Sequence, residues 1–132
     1  MGAGRVRAIL DTNLLVAEAL SQRQFDVAIS SLSWAELEYG VRKAADPVER
    51  ARRESRIARL RTVLGPGIPF DDAAADAYGT ICGLVLASGR EVRGRAIDLM
   101  IAATAAAHSA VVLTRNVDDF TGLDGFVTIL QA

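Results

Sequence analysis

Val6-Arg7-Ala8-Ile9-Leu10-Asp11-Thr12-Asn13-Leu14-Leu15 opens the first structural unit of the chain. Arg5–Leu10 alternates and then runs apolar, as the start of a buried strand does. Apolar residues resume at Leu14, so the chain turns from strand to helix at Asp11. A carboxylate at such a turn has two uses. It can cap the helix by accepting from free N–H groups, or it can be the first oxygen ligand of a divalent cation. Which use applies depends on whether other carboxylates reach the same edge.

Beyond this stretch, strands and helices alternate. A short helix is expected over Thr12–Leu20, a polar connector over Gln22–Asp26 and a second strand over Val27–Ser30. Ser33-Trp34-Ala35-Glu36 reads as a capping box opening the next helix. Asp46-Pro47 caps a further helix to Leu64, which Gly65-Pro66-Gly67 stops. Ile68-Pro69-Phe70, with two nearby prolines, is an edge strand or linker. Asp71 caps a helix over Asp72–Ala87, Arg90–Arg95 is a polar loop, and Ala96–Ser109 is an Ala-rich helix. Ala110–Thr114 is a β-branched strand, Arg115–Phe120 a loop or single helical turn, and Val127–Leu130 a last strand. This order predicts an α/β fold, a small parallel sheet flanked by helices on both faces. Ligands of such sheets bind beyond the carboxyl ends of the strands. The length of 132 residues suits one domain over 1–132.

Apolar residues make up 51 % of the chain and aromatics 5 %, so the core is built of Ala, Val, Leu and Ile. The formal net charge of −1 gives no global footprint for nucleic acid. Cys82 is the only cysteine, which excludes an internal disulfide and a cysteine-based metal site. No signal-peptide pattern opens the chain and no segment has the length and apolarity of a membrane span, so a cytoplasmic protein is expected.

Four strand-edge or helix-start positions carry oxygen ligands: Asp11, Glu36, Asp98, and the group Asn116, Asp118 and Asp119. Each residue alone can be a cap or a helix-dipole partner. Asp98 fits that role least well, because Ile97, Leu99 and Ile101 surround it. Clustered carboxylates removed from water cost several kcal/mol per ion unless a cation neutralises them. Together they point to a hard divalent ion that activates water and stabilises charge on a phosphodiester. Asp11 and Asp98 would hold the ion, Glu36 would complete the shell or orient the water, and Asn116 or Asp119 would act behind them.

The basic residues are concentrated in Arg42–Arg61, where the local net charge is about +5. This is either a phosphate-holding surface or a solvated helix face with pairs such as Glu49–Arg53. Arg90, Arg93 and Arg95, just before Asp98, and Arg115, beside Asn116, are the better candidates for contacting substrate at the acids. Thr12 and Ser33 can hydrogen-bond a ligand or water there. Trp34 reads as packing or an interface residue, and His108, ten residues past Asp98, as a structural histidine.

Leu10-Asp11-Thr12-Asn13 resembles the first motif of PIN-domain nucleases. Ser33-Trp34-Ala35-Glu36-Leu37 with Tyr39-Gly40 resembles their second, and Ala96-Ile97-Asp98-Leu99-Met100-Ile101-Ala102-Ala103 their third. Leu113-Thr114-Arg115-Asn116 with Asp119-Phe120 is similar to the fourth. The four occur in family order over nearly the whole chain. The compact size most resembles VapC toxins of bacterial type II toxin–antitoxin systems.

That resemblance implies a Mg²⁺- or Mn²⁺-dependent endoribonuclease that cuts structured cellular RNA (tRNA or rRNA), leaves 5′-phosphate and 3′-hydroxyl ends, and arrests translation. It also implies a homodimer and a VapB-type antitoxin that occludes the active site in a hetero-oligomer. By position, Asp11, Glu36 and Asp98 would be the acidic triad. The fourth position, often Asp in that family, is Asn116 here, with Asp119 the nearby carboxylate. Two other functions fit parts of the pattern. A PIN-fold binding module without activity would have no need of all three acids. An aspartyl-phosphate phosphohydrolase would need an acid two residues after Asp11, where Asn13 stands.

Overall fold

The computed structural model describes residues 5–14 and 24–132. Among these, four strands form one sheet: β1 (Val6–Leu10), β2 (Phe25–Ala28), β3 (Val111–Thr114) and β4 (Ile129–Gln131). Their order is β2-β1-β3-β4 and every pair is parallel. All four carboxyl ends therefore lie on one edge. Four helices accompany them: α1 (Ser31–Lys43), α2 (Pro47–Leu64), α3 (Asp72–Ala87) and α4 (Ala96–Ala107). The α/β parallel-sheet expectation holds. The expected helix Thr12–Leu20 lies, from residue 15 onward, outside the described residues.

The central strand β1 is buried on both faces, as the apolar run Ala8-Ile9-Leu10 requires. Ile9 joins Val112 against α3 and α4, where Ile81, Val85 and Leu99 meet the alanines of the Ala-rich helix. Small residues along α4 let the two helices approach closely. Ala8, Leu10 and Leu113 face the other way, where Leu14 and, at the end of α2, Leu64 pack. A third cluster, Ile29, Trp34, Val41, Ile57 and Leu60, joins α1 to α2. Trp34 is packing, as expected, and carries the Arg61 guanidinium 4.4 Å above its ring.

Helix starts at Asp46 and Asp71 fall where the caps place them, with Oδ1 accepting from Glu49 N at 2.8 Å and from Ala74 N at 3.0 Å. The Ser33–Glu36 capping box does not form. Ser30 is the cap of α1 and its hydroxyl accepts from Leu32 N at 3.0 Å. The helix begins three residues earlier than the box implies, its cap at Ser30 and not Ser33, because Ser30 is pinned beside Ile68 as an isolated parallel bridge. Ile68 N donates to Ile29 O at 2.8 Å and Ser31 N to Ile68 O at 2.9 Å. Gly67 makes this crossing possible, since a Cβ there would lie 2.7 Å from Ser31 N.

Three boundaries shift for similar tertiary reasons. β2 starts at Phe25, where pairing with Val6 begins. β4 starts at Ile129, because Val127 is used as core and pairing begins opposite Val112. Helix α4 ends at Ala107, and Ser109 turns the chain with φ 55°. His108 Nε2 lies 3.2 Å from Asp71 Oδ2, an ion-pair approach linking the end of α4 to the start of α3, in keeping with a structural histidine. Among the described residues no helix is long and apolar enough to cross a membrane.

Candidate active site

Asp11 leaves the carboxyl end of β1 with its backbone N donating to Leu113 O at 2.9 Å, so the first residue past the strand is still held by β3. Its side chain is buried, with 4 % exposure. Thr114, the last residue of β3, donates its hydroxyl to Asp11 Oδ2 at 2.8 Å and accepts from Asn116 N at 3.0 Å. Asp11 Oδ1 is buried and, among the described residues, has no hydrogen-bond partner. A buried carboxylate oxygen left in that condition is costly. A cation at Oδ1 would remove the cost.

Glu36 is delivered from the first turns of α1. Thr12 Oγ1 donates to Glu36 Oε1 at 2.6 Å and lies 2.8 Å from Ser33 Oγ. Thr12 has one hydroxyl proton. Once it is given to Glu36, Ser33 must donate to Thr12, which makes a directed chain Ser33–Thr12–Glu36. Ser33 is fully buried, so the chain is shielded from water at its inner end. Thr12 and Ser33 thus orient the acid, and the cap role read from the sequence for Ser33 and Glu36 is replaced by this one.

Asp98 lies in the first turn of α4, which has no side-chain cap at its Arg95 start. Its carboxyl is pushed up from 3.8 to about 6, first by burial, then by the charges of Asp11, Glu36 and Asp119, with Arg95 opposing. Three acids from three other segments therefore act on Asp98 at the carboxyl edge of the sheet. A cavity of about 300 Å³ opens here between Glu36, Arg95 and Asp98.

Asp119 sits in a 3₁₀ turn, Val117–Phe120, with Arg95 Nη2 4.0 Å from its Oδ1. Asn116 begins that turn, exposed, and its side chain makes no cap hydrogen bond. Its contact with the site is through its backbone N–H to Thr114. Of the two fourth-motif residues, Asp119 is the one whose charge reaches Asp98. Arg95 lines the cavity, whereas Arg93 is exposed and does not line it. Arg115 is exposed beyond β3, with its carbonyl accepting from Gln131 Nε2 at 3.2 Å.

Thr114 is the site residue that sequence reasoning passed over. The available signal was a β-branched hydroxyl at the end of an otherwise apolar strand, inside the fourth motif. Among the described residues no group of three or more acidic, histidine or cysteine side chains stands close enough together to hold a metal ion. The donors present are all oxygens, and one is orphaned and buried. They suit a hard ion such as Mg²⁺, which binds through one or two carboxylates and keeps several waters.

Residues 8–125 match the family model of the PIN domain. The chain belongs to the PIN-domain family. It is 37 % identical over 129 residues to Ribonuclease VapC5 of Mycobacterium tuberculosis, covering 92 % of this chain and 90 % of that one. It is 33 % identical over 101 residues to Toxin FitB of Neisseria gonorrhoeae, covering 75 % and 71 %. A crystal structure of VapBC-5 from Mycobacterium tuberculosis, a member of the VapBC family of toxin–antitoxin systems, superimposes with a TM-score of 0.73 at 35 % identity, over 96 % of this chain and 97 % of that one. Within the PIN family the chain is of the VapC type.

Proposed function

We propose that the protein is a VapC-type ribonuclease toxin that hydrolyses phosphodiester bonds in structured cellular RNA (tRNA or rRNA) with Mg²⁺ or Mn²⁺, arrests translation in the cytoplasm, and is neutralised by a VapB-type antitoxin in a toxin–antitoxin hetero-oligomer built on a homodimer. The observation that carries the catalytic part is the buried Oδ1 of Asp11, without a hydrogen-bond partner among the described residues, at an edge shared with Asp98, Glu36 and Asp119.

Asp11 and Asp98 are the residues to hold the ion, with Glu36 completing its surroundings. When bound, the ion would supply an activated water and a positive charge for the phosphodiester oxygens. The remaining work falls to the side chains. Thr114 fixes the rotation of the Asp11 carboxylate, so that one oxygen is spent and the other is available. The Ser33–Thr12 chain does the same for Glu36. Arg95 balances Asp119 and presents a cation at the cavity of the acids for a substrate phosphate.

The test is cleavage of total cellular RNA by the purified protein and by Asp98→Asn, each with Mg²⁺, Mn²⁺ or EDTA. Discrete products with the wild type that vanish in EDTA and in the variant are expected. Equal cleavage by the variant would remove Asp98 from the site, and absence of cleavage of any RNA by the wild type would favour a binding module.

A further inference from the structure

Glu36 lines a second cavity, of about 270 Å³, on the side of α1 that faces α2. Two arginines of α2, Arg53 and Arg56, line it with Gly40. They differ in how they are held. Arg53 Nη1 donates to Gly40 O at 2.6 Å and its Nε stands 4.0 Å from Glu49, so the guanidinium is fixed at the cavity wall. Arg56 is exposed and, among the described residues, has no hydrogen bond or ion pair. An arginine without an internal partner, beside one already positioned, has five donors ready for an anion.

Because Glu36 belongs to both cavities, the arginine pair is the next feature along the surface after the acids. Neighbouring helix positions are not equivalent: Arg52 is paired to Glu49 at 3.4 Å, Arg61 to Glu38 at 3.5 Å, and Arg59 lines neither cavity.

We infer that Arg53 and Arg56 form a second phosphate subsite, which holds a backbone phosphate of the bound RNA away from the cleaved bond. The subsite rests on the ribonuclease assignment above and gives it a binding register: the strand runs from the acids over Glu36 to α2. It assigns a function to part of the basic Arg42–Arg61 stretch, while Arg52 and Arg61, paired to Glu49 and Glu38, serve the helix face. A guanidinium pair reads phosphate and not base identity, so this contact adds affinity without sequence preference.

The experiment uses the full chain carrying Asp98→Asn, so that RNA stays uncut, with Mg²⁺ present, and measures binding of fluorescein-labelled oligouridylate by anisotropy over a salt series. Adding Arg56→Ala should weaken binding roughly tenfold, the size of one charge-assisted contact. It should also lower the slope of log affinity against log salt by about 0.7, the value for one phosphate of a single strand. Arg56→Lys should keep the slope, and Arg59→Ala should leave both quantities unchanged. Arg53→Ala should weaken binding as well, but it also frees Gly40 O, so Arg56 carries the decision. Unchanged affinity and slope in Arg56→Ala, with oligouridylate still bound, would overturn the subsite and leave the ribonuclease assignment standing. Displacement of the RNA by poly-glutamate as effective as by unlabelled oligouridylate would assign the cavity to an acidic peptide and overturn the subsite as well. Failure of the parent protein to bind or of the wild type to cut any RNA would instead fell the ribonuclease assignment itself.

Discussion

Thr114 and Asp11, 103 positions apart in sequence, meet at the carboxyl ends of β3 and β1, where the threonine hydroxyl donates to Asp11 Oδ2 at 2.8 Å. The bond leaves Oδ1 as the available oxygen. Hydrogen bonds behind an ion-binding carboxylate set its orientation, and losing one typically costs about 10- to 100-fold in ion affinity or activity. Thr114→Val, which keeps the branched shape, should therefore lower RNA cleavage by about that factor, with more Mn²⁺ needed for half-maximal rate. A rate and Mn²⁺ dependence equal to wild type would show that Asp11 is held by other means.

The Ser33–Thr12–Glu36 chain is expected to behave as one unit. Thr12→Val removes both hydroxyl contacts, and Ser33→Ala removes only the inner donor. Cleavage should fall in both, more in Thr12→Val, and the double variant should be no worse than Thr12→Val alone. Additive losses would mean that the two hydroxyls act independently.

Asp98 predicts an unusual pH dependence for the ion-free protein. Its folded value of about 6 lies above the ordinary 3.8, so folding disfavours the charged form. The penalty is complete above about pH 6 and absent below the ordinary value, so stability from this group rises as pH falls between them. The shift corresponds to ~3 kcal/mol, which partial exposure and screening reduce to about 1 kcal/mol. In EDTA, wild-type Tm should rise by a few degrees from pH 7.5 to pH 5. Asp98→Asn should flatten that rise and melt higher than wild type at pH 7.5. A variant melting lower than wild type at pH 7.5 in EDTA would contradict the crowding of acids.

Gly67 should tolerate no side chain. A Cβ would stand 2.7 Å from Ser31 N and 2.9 Å from Ser31 Oγ, with backbone on one side. The crossing strand segment must then move, and the Ser30 cap and Glu36 with it. Gly67→Ala should cost about 1–3 kcal/mol by chemical denaturation and reduce cleavage. Gly83→Ala, where a Cβ meets nothing within 4 Å, is the matched control. Equal stability of the two variants would refute the close approach.

Much of this architecture was legible in the order of the residues. Asp46-Pro47 and Asp71 announce their helices because a cap is a local interaction, complete within four residues. The acids were legible because each stands where a strand or loop passes into the next element. The misread features depend on distant partners. The Ser33–Glu36 box is a valid local pattern, yet Thr12 claims both side chains and Ser30, pinned by Ile68, caps instead. Thr114 looks like any strand threonine until β1 brings Asp11 beside it. The pairing of Glu49 with Arg52 and Arg53 follows helix spacing, whereas the reach of Arg53 to Gly40 and of Arg61 to Glu38 needed the packing of α2 on α1, which no spacing rule contains.

The central claim is that Asp11, Asp98 and Glu36 form one ion-dependent nucleolytic centre. Its most direct test is Mn²⁺ binding, followed by electron paramagnetic resonance, measured beside RNA cleavage for wild type and Asp11→Asn. The wild type should bind Mn²⁺ and cleave RNA, and the folded variant should lose both together. A folded Asp11→Asn protein that still binds Mn²⁺ as tightly and cuts RNA as fast as wild type would contradict it.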